Sequence, residues 1–215
     1  MVRRSRLNAS CTPYPYLCIH TSASGVARKP ERLVKILRLL LRSPTNPNYN
    51  MSYKLLFVCL GNICRSPSAE NIMNHLIEQA GLESEIVCDS AGTSSYHIGS
   101  APDRRMTAAA KQRGIALKGQ ARQLQKADFE QFDLILAMDQ ENYQDILALD
   151  PSGQYRDRVR LMCEFCTHYS EREVPDPYYG GPEGFNHVID LLLDACNGLL
   201  QHIVTTQPLI TPTRN

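Results

Sequence analysis

Leu55-Leu56-Phe57-Val58-Cys59-Leu60-Gly61-Asn62-Ile63-Cys64-Arg65-Ser66-Pro67 is the stretch that decides how this chain folds. Its first four residues are continuously apolar, the pattern of a strand buried on both faces of a sheet. Its last two predict a helix start, with Ser66 as the cap and Pro67 in the first turn. Between strand and helix lie a thiol, five residues, an arginine and a hydroxyl. That order suits capture of a phosphate-like dianion by a nucleophilic cysteine, and it makes an enzyme the leading reading.

Downstream, Ala69, Ile72, Met73, Leu76, Ile77 and Ala80 recur at helical spacing and trace one apolar face, which Gly81 ends. Ile86-Val87-Cys88 predicts a second strand, ending at Asp89-Ser90-Ala91-Gly92. Residues 102–113 predict a helix between Pro102 and Gly114. Leu134 to Met138 reads as a third buried strand, Asp139 to Leu149 as a third helix, and Val159 to Met162 as a fourth strand. After the loop Val174-Pro175-Asp176-Pro177-Tyr178-Tyr179-Gly180-Gly181, a last helix carries Phe185, Val188, Ile189, Leu192, Leu193, Cys196, Leu199, Leu200 and Ile203 on one face. Strands alternating with helices predict an α/β fold of three layers: a four-stranded, mostly parallel sheet flanked by helices, Rossmann-like in its wiring. Such sheets bind ligands beyond the carboxyl ends of their strands. Cys59 and Asp139 each stand at such an end.

The 215 residues divide by charge. Residues 1–50 hold nine Lys/Arg and one acid, Glu31, which leaves 14 bases and 21 acids to the remainder. A tail of net charge +8 thus precedes a body of −7. We expect a basic, poorly ordered extension over 1–50, one domain over 51–205, and a short tail over 206–215. Leu33 to Leu41 predicts a short basic amphipathic helix, too charged to span a bilayer, which takes roughly 20 apolar residues. The extension reads as an organelle transit peptide, as a membrane- or partner-binding arm, or as an over-long translation product with Met51 as the true start. The last is preferred, because Met51 sits just before the first strand. The charge balance as a whole implies no nucleic-acid partner. Eight cysteines without a secretory signal fit a reduced, cytoplasmic setting better than a disulfide framework.

The chemistry of the Cys59 loop follows from its residue types. A thiol titrates ordinarily near ~8.5. A helix N-terminus with unpaired amides, and Arg65 beside it, favour both the thiolate and a bound oxyanion. The planar fork of Arg65 can hold two phosphate oxygens at once. Gly61 permits close backbone approach and positive φ, and Asn62 tolerates the left-handed region while its amide braces a curled loop. Ser66 is placed to donate a hydrogen bond to the sulfur.

The run Cys59 to Pro67, together with Asp176-Pro177-Tyr178-Tyr179, resembles the low-molecular-weight protein tyrosine phosphatase family, over about residues 53–204. The resemblance implies hydrolysis of phosphotyrosine in proteins, and of small aryl phosphates, in two steps and without metal or cofactor. Cys59 attacks phosphorus to give a cysteinyl-phosphate, and Arg65 and the loop amides hold the equatorial oxygens. Asp176 protonates the leaving phenol, then activates water. The same likeness implies that Leu60, Gly61, Asn62, Ile63, Cys64 and Ser66 build the phosphate loop and that Ser90 supports it through Asn62. It sets Tyr96, Tyr178 and Tyr179 on the cleft walls. Implied partners are phosphotyrosine proteins and a cognate tyrosine kinase. Cys64 would form a reversible disulfide with Cys59 under oxidant.

The chain departs from the family pattern at one brace. Some members carry a histidine that steadies the loop where Gly119 and Gln120 stand here, so that support is absent or replaced. His97, after Tyr96, reads as a solvated loop histidine. Cys163-Glu164-Phe165-Cys166 with His168 invites a zinc reading, but a closed site needs four ligands and no second pair is suitably spaced; buried or reduced thiols fit better, with a redox role open.

Two other activities suit the same cradle. Thiol-dependent arsenate reduction needs a relay of further cysteines, and no convincing pair lies between Gly92 and Met162. Arginine-phosphate hydrolysis goes, in related members, with threonine where Ile63 stands, and without the paired tyrosines. A catalytically dead phosphotyrosine-binding module conflicts with intact Cys59, Arg65 and Asp176.

Overall fold

A computed structural model describes residues 52–178 and 181–206. The basic extension with its expected helix, the segment beyond Thr206, and Tyr179 of the expected cleft lie outside the described residues.

The elements follow the expected alternation. Strand β1 (Tyr53–Cys59) leads into helix α1 (Arg65–Ala80), and β2 (Ile86–Gly92) into α2 (Arg104–Lys111). A four-residue helix α3 (Asp128–Gln131) precedes β3 (Leu134–Ala137), which passes to α4 (Gln140–Ala148). β4 (Val159–Leu161) lies between two short 3₁₀ turns, Arg156–Arg158 and Met162–Phe165, and α5 (Pro182–Thr206) closes the domain. The sheet has the order β2-β1-β3-β4, with every pairing parallel.

β1 is central, which is why its apolar run has no polar face. Leu55 and Phe57 point into a core with α1, α2 and α5, while Leu56 and Val58 point the other way, into Phe129, Phe132, Ile135 and Ile146. All four are fully buried. Burying such a side chain stabilises by about 1.5–3 kcal/mol, so a polar residue on either face would be costly. α5 is long and apolar enough to cross a membrane by length and composition. Its apolar side is spent on the domain core, where Phe185, Val188, Ile189, Leu192 and Leu199 are 0–2% exposed.

Three local expectations change. α1 begins at Arg65, not Pro67, and no side chain caps it. Ser66 lies inside the first turn because its hydroxyl is used by the loop beside it. Gly81 does end α1, in the left-handed region at φ 66. α2 starts at Arg104, where the Asp103 carboxylate caps the amides of Arg105 and Met106. α3 escaped the periodicity argument, since four residues cannot display a period.

Candidate active site

Residues 59–66 curl from the end of β1 into α1, and the curl depends on one unusual backbone. Asn62 has φ 53, the left-handed conformation at which a non-glycine residue is uncommon. Its side chain compensates: Nδ2 donates to Ser66 Oγ and to Ser90 Oγ, both at 2.9 Å, while Oδ1 accepts from the Arg122 backbone amide at 2.9 Å. The expected support from Ser90 is therefore present. The brace unaccounted for in the sequence is the Arg122 amide, and the Arg122 side chain fastens it in turn to Asp89 and Asp128.

Of the two freedoms expected of Gly61 the loop uses close approach and not positive φ. Positive φ falls on Asn62, in keeping with its tolerance of the left-handed region, and a methyl group on Gly61 would come within 2.9 Å of the His97 ring. His97 therefore packs over the loop rather than standing free in solvent. At Gly92, the end of β2, a methyl group would meet the Leu60 carbonyl at 2.8 Å. The neighbouring strand thus has to be glycine where the loop crosses it.

Cys59 lies on the floor of the loop, 2% exposed. Its sulfur accepts from the Asn62 amide at 3.3 Å and is 3.1 Å from Ser66 Oγ. Arg65 is 3% exposed, and its guanidinium bonds Asp139, the Val174 carbonyl at 3.2 Å, and Asp176 Oδ2 at 2.9 Å. Burial opposes its charge, but Cys59, Asp139 and Asp176 prevail and hold the group above its ordinary value. Asp176, 42% exposed, also accepts from the Tyr178 amide at 2.9 Å, so its carboxylate is aimed at the loop. Cys64 faces the core at 5% exposure; burial first, then the charges of Asp103, Cys59 and Asp176, push its thiol up to about 12.

The loop's two flanks are tied down separately. The Thr93 and Ser94 amides donate to the carbonyls of Cys59 and Leu60 at 2.9 Å, which sets Tyr96, 85% exposed, on one rim. On the other side the Asp103 amide donates to the Ile63 carbonyl at 2.7 Å. Arg105 then donates to the Tyr178 carbonyl at 3.0 Å and lies over the Tyr178 ring. Tyr178 is 37% exposed and Leu60 41%. The structure thus brings together Cys59, Asn62, Arg65, Ser66, Ser90 and Asp176, with Tyr96 and Tyr178 at the edges.

Sequence reasoning set Asp139 at a strand end where ligands bind without giving it a role, and it missed Asp103, Arg105 and Gly92. Asp139 caps α4 through the Asn142 amide at 2.7 Å and holds Arg65 with its other oxygen. His168 Nδ1 is engaged with Asp194 at 2.7 Å and Thr167 at 2.8 Å, and among the described residues no three His, Cys, Asp or Glu side chains are grouped as a metal ion would require.

Comparison with known proteins places these features in context. Residues 54–208 match the family described as low molecular weight phosphotyrosine protein phosphatase. The chain is 65% identical over 147 residues to the Synechocystis sp. protein slr0328, which bears a low molecular weight protein-tyrosine-phosphatase name; the match covers 68% of this chain and 94% of that protein. Among solved structures, the Entamoeba histolytica protein tyrosine phosphatase with Hepes in its active site is 48% identical at a TM-score of 0.70, covering 72% of this chain and 98% of that one. The YwlE arginine phosphatase is 28% identical at a TM-score of 0.65, covering 73% and 99%.

Proposed function

Because this chain belongs to the low molecular weight phosphotyrosine protein phosphatase family, we propose that it hydrolyses phosphotyrosine by a two-step displacement centred on Cys59, Arg65 and Asp176. The Cys59 thiolate attacks phosphorus in line with the phenolic oxygen. The S–P bond forms as the P–O bond breaks, and Asp176 gives its proton to the departing phenolate. Arg65 and the loop amides carry the charge of the three equatorial oxygens, a task that asks for positive charge and fixed geometry rather than a metal. In the second step Asp176 takes a proton from water, the water oxygen bonds to phosphorus, and Cys59 leaves as thiolate with Ser66 donating to it.

One observation carries this reading. Asp176 lies far from Cys59 along the chain, yet it meets the loop through a 2.9 Å pair with Arg65, the residue that ends the loop. An incoming phosphoryl group would take over the Arg65 donor that Asp176 now occupies, which frees the carboxyl group to face the leaving oxygen. Cys59→Ser is expected to abolish cleavage of an aryl phosphate in the presence of a chelator. Persistent turnover would defeat the mechanism.

Arginine-phosphate hydrolysis is the second reading, favoured by the likeness to YwlE. Ile63 in the loop and Tyr178 at its edge favour an aromatic substrate instead. Parallel assays on a phosphotyrosine peptide and a phosphoarginine protein discriminate: faster turnover of phosphoarginine would reverse the assignment. In the same proposal the enzyme works in the cytoplasm on phosphotyrosine proteins, opposite a tyrosine kinase. Cys64 captures Cys59 as a disulfide after oxidation. Thiol recovery of a peroxide-treated Cys64→Ser variant as complete as the parent's would remove Cys64 from that role.

A further inference from the structure

Cys163 and Cys166 form a second thiol pair, on the turn that follows β4 and apart from the phosphate loop. The Cys166 amide donates to the Cys163 carbonyl at 3.2 Å, closing a hydrogen-bonded turn. Such a turn keeps its end Cα atoms within about 7 Å, which overlaps the span a disulfide bridges. Cys163 is buried at 7% exposure, whereas Cys166 is partly open to solvent.

The turn and the residues that follow it are held by α5 at two points. The amides of Thr167, His168 and Tyr169 all donate to Asp194 Oδ2, at 2.9, 2.9 and 3.2 Å. α5 presses on it so closely that a methyl group at Gly198 would lie 1.9 Å from the Phe165 carbonyl. The arrangement is therefore pre-formed, and closing a bond between the sulfurs asks for little backbone movement.

We propose that Cys163 and Cys166 are a thiol–disulfide exchange site for small disulfides such as oxidised glutathione. The Cys166 thiolate attacks one sulfur of the external disulfide and expels one glutathione thiolate. Cys163 then gives up its proton and attacks Cys166, expelling the second glutathione. Two protein thiols lose two electrons in total, and one glutathione disulfide becomes two thiols. A dithiol reductant reverses both steps. The division of labour follows from environment. Its neighbour Cys163 holds the Cys166 thiol below its ordinary range, against burial and the carboxylates of Asp194 and Glu171. Cys166, with burial, pushes the Cys163 thiol upward. A partly exposed thiol that ionises readily, beside a buried one, is an attacker with its resolver.

The test uses the full chain carrying Cys59→Ser and Cys64→Ser, which removes the phosphate-loop pair. The protein is equilibrated in mixtures of reduced and oxidised glutathione, acid-quenched and alkylated. Trypsin releases residues 161–172 as one peptide with both thiols. The expected result is that Cys163 and Cys166 lose alkylation together, the peptide becoming lighter by two hydrogens and reverting with dithiothreitol. Retention of both alkyl groups in the most oxidising mixture overturns the proposal, as does linkage of either residue to another cysteine. In a time course, a glutathione adduct on Cys166 is expected to precede the internal bond and to persist in Cys163→Ser. An adduct forming first on Cys163 overturns the assignment of attacker and resolver, and the parent's time course decides this even where the variant does not fold.

Discussion

The hydroxyl of Ser66 stands 3.1 Å from the sulfur of Cys59. It also lies 3.3 Å from the Ala91 carbonyl and accepts from Asn62 at 2.9 Å. A hydroxyl has one proton to donate. With a thiolate below it, that proton goes to sulfur; with a protonated thiol, the thiol donates and the hydroxyl turns to Ala91. Ser66 is thus poised to follow the charge on Cys59.

Ser66→Ala should slow the step in which Cys59 departs from phosphorus. A hydrogen bond to a charged group contributes about 1.5–3 kcal/mol, so breakdown of the cysteinyl-phosphate should fall by roughly 10- to 100-fold. Stopped-flow measurement with a good aryl leaving group should show a burst of phenol before a slow steady rate. A burst-free trace at the parental rate would remove Ser66 from the second step.

Arg65 shares its guanidinium between Asp139 and Asp176, and the two carboxylates should separate by kinetics. Asp139→Asn keeps a good helix cap for α4 but loses the charge that orients Arg65. We expect kcat/KM to fall by roughly 10-fold or more, equally for good and poor leaving groups, as for a group that acts through another. Asp176→Asn should slow poor leaving groups far more than good ones. A leaving-group series for each variant gives the two slopes; identical slopes would refute the division.

Gly198→Ala should be among the most destabilising small changes in α5. The added methyl would lie 1.9 Å from a backbone carbonyl, which cannot yield as a side-chain tip can. Overpacking of this kind costs about 1–3 kcal/mol, or several degrees of Tm in a domain of this size. Thermal unfolding of the variant measures it, and an unchanged midpoint would show that the helix shifts freely.

Asp194 supplies a pH dependence. Burial at 5% exposure raises the cost of its charge, but the Thr167 hydroxyl and the amides of His168 and Tyr169 more than offset this and hold the carboxyl far below its ordinary range. The folded value is depressed, so the stabilisation is full above the unfolded value of about 4 and fades as pH falls below it. Asp194→Asn should therefore destabilise clearly at neutral pH, with the difference from the parent shrinking toward pH ~2. Denaturant midpoints across that range test the sign, and a gap that widened in acid would contradict it.

Legibility varied with the range of the interaction. The Cys59 loop could be read because a buried strand, a curl and a helix start are written in consecutive residues. Asp176 was found only because its motif pairs with that loop. Arg122 and Gly92 left no signal, since one acts through its backbone amide and the other through a side chain it lacks. Ser66 was read rightly as a partner of the Cys59 sulfur and wrongly as a helix cap, because serine before proline is a local signal while its hydroxyl is taken up by that sulfur and Asn62.

The amino-acid order by itself determined the alternation of strands and helices, the two-faced burial of β1 and the chemistry available at its end, because these depend on neighbours along the chain. The tertiary structure alone decided that Asp139 and Asp176 would share Arg65, that the Arg122 amide would brace Asn62, and that the Cys163–Cys166 turn would be packed under α5. Those contacts join or enclose segments through the packing of parallel strands and their crossover helices, and the geometry of that packing is carried by no single stretch.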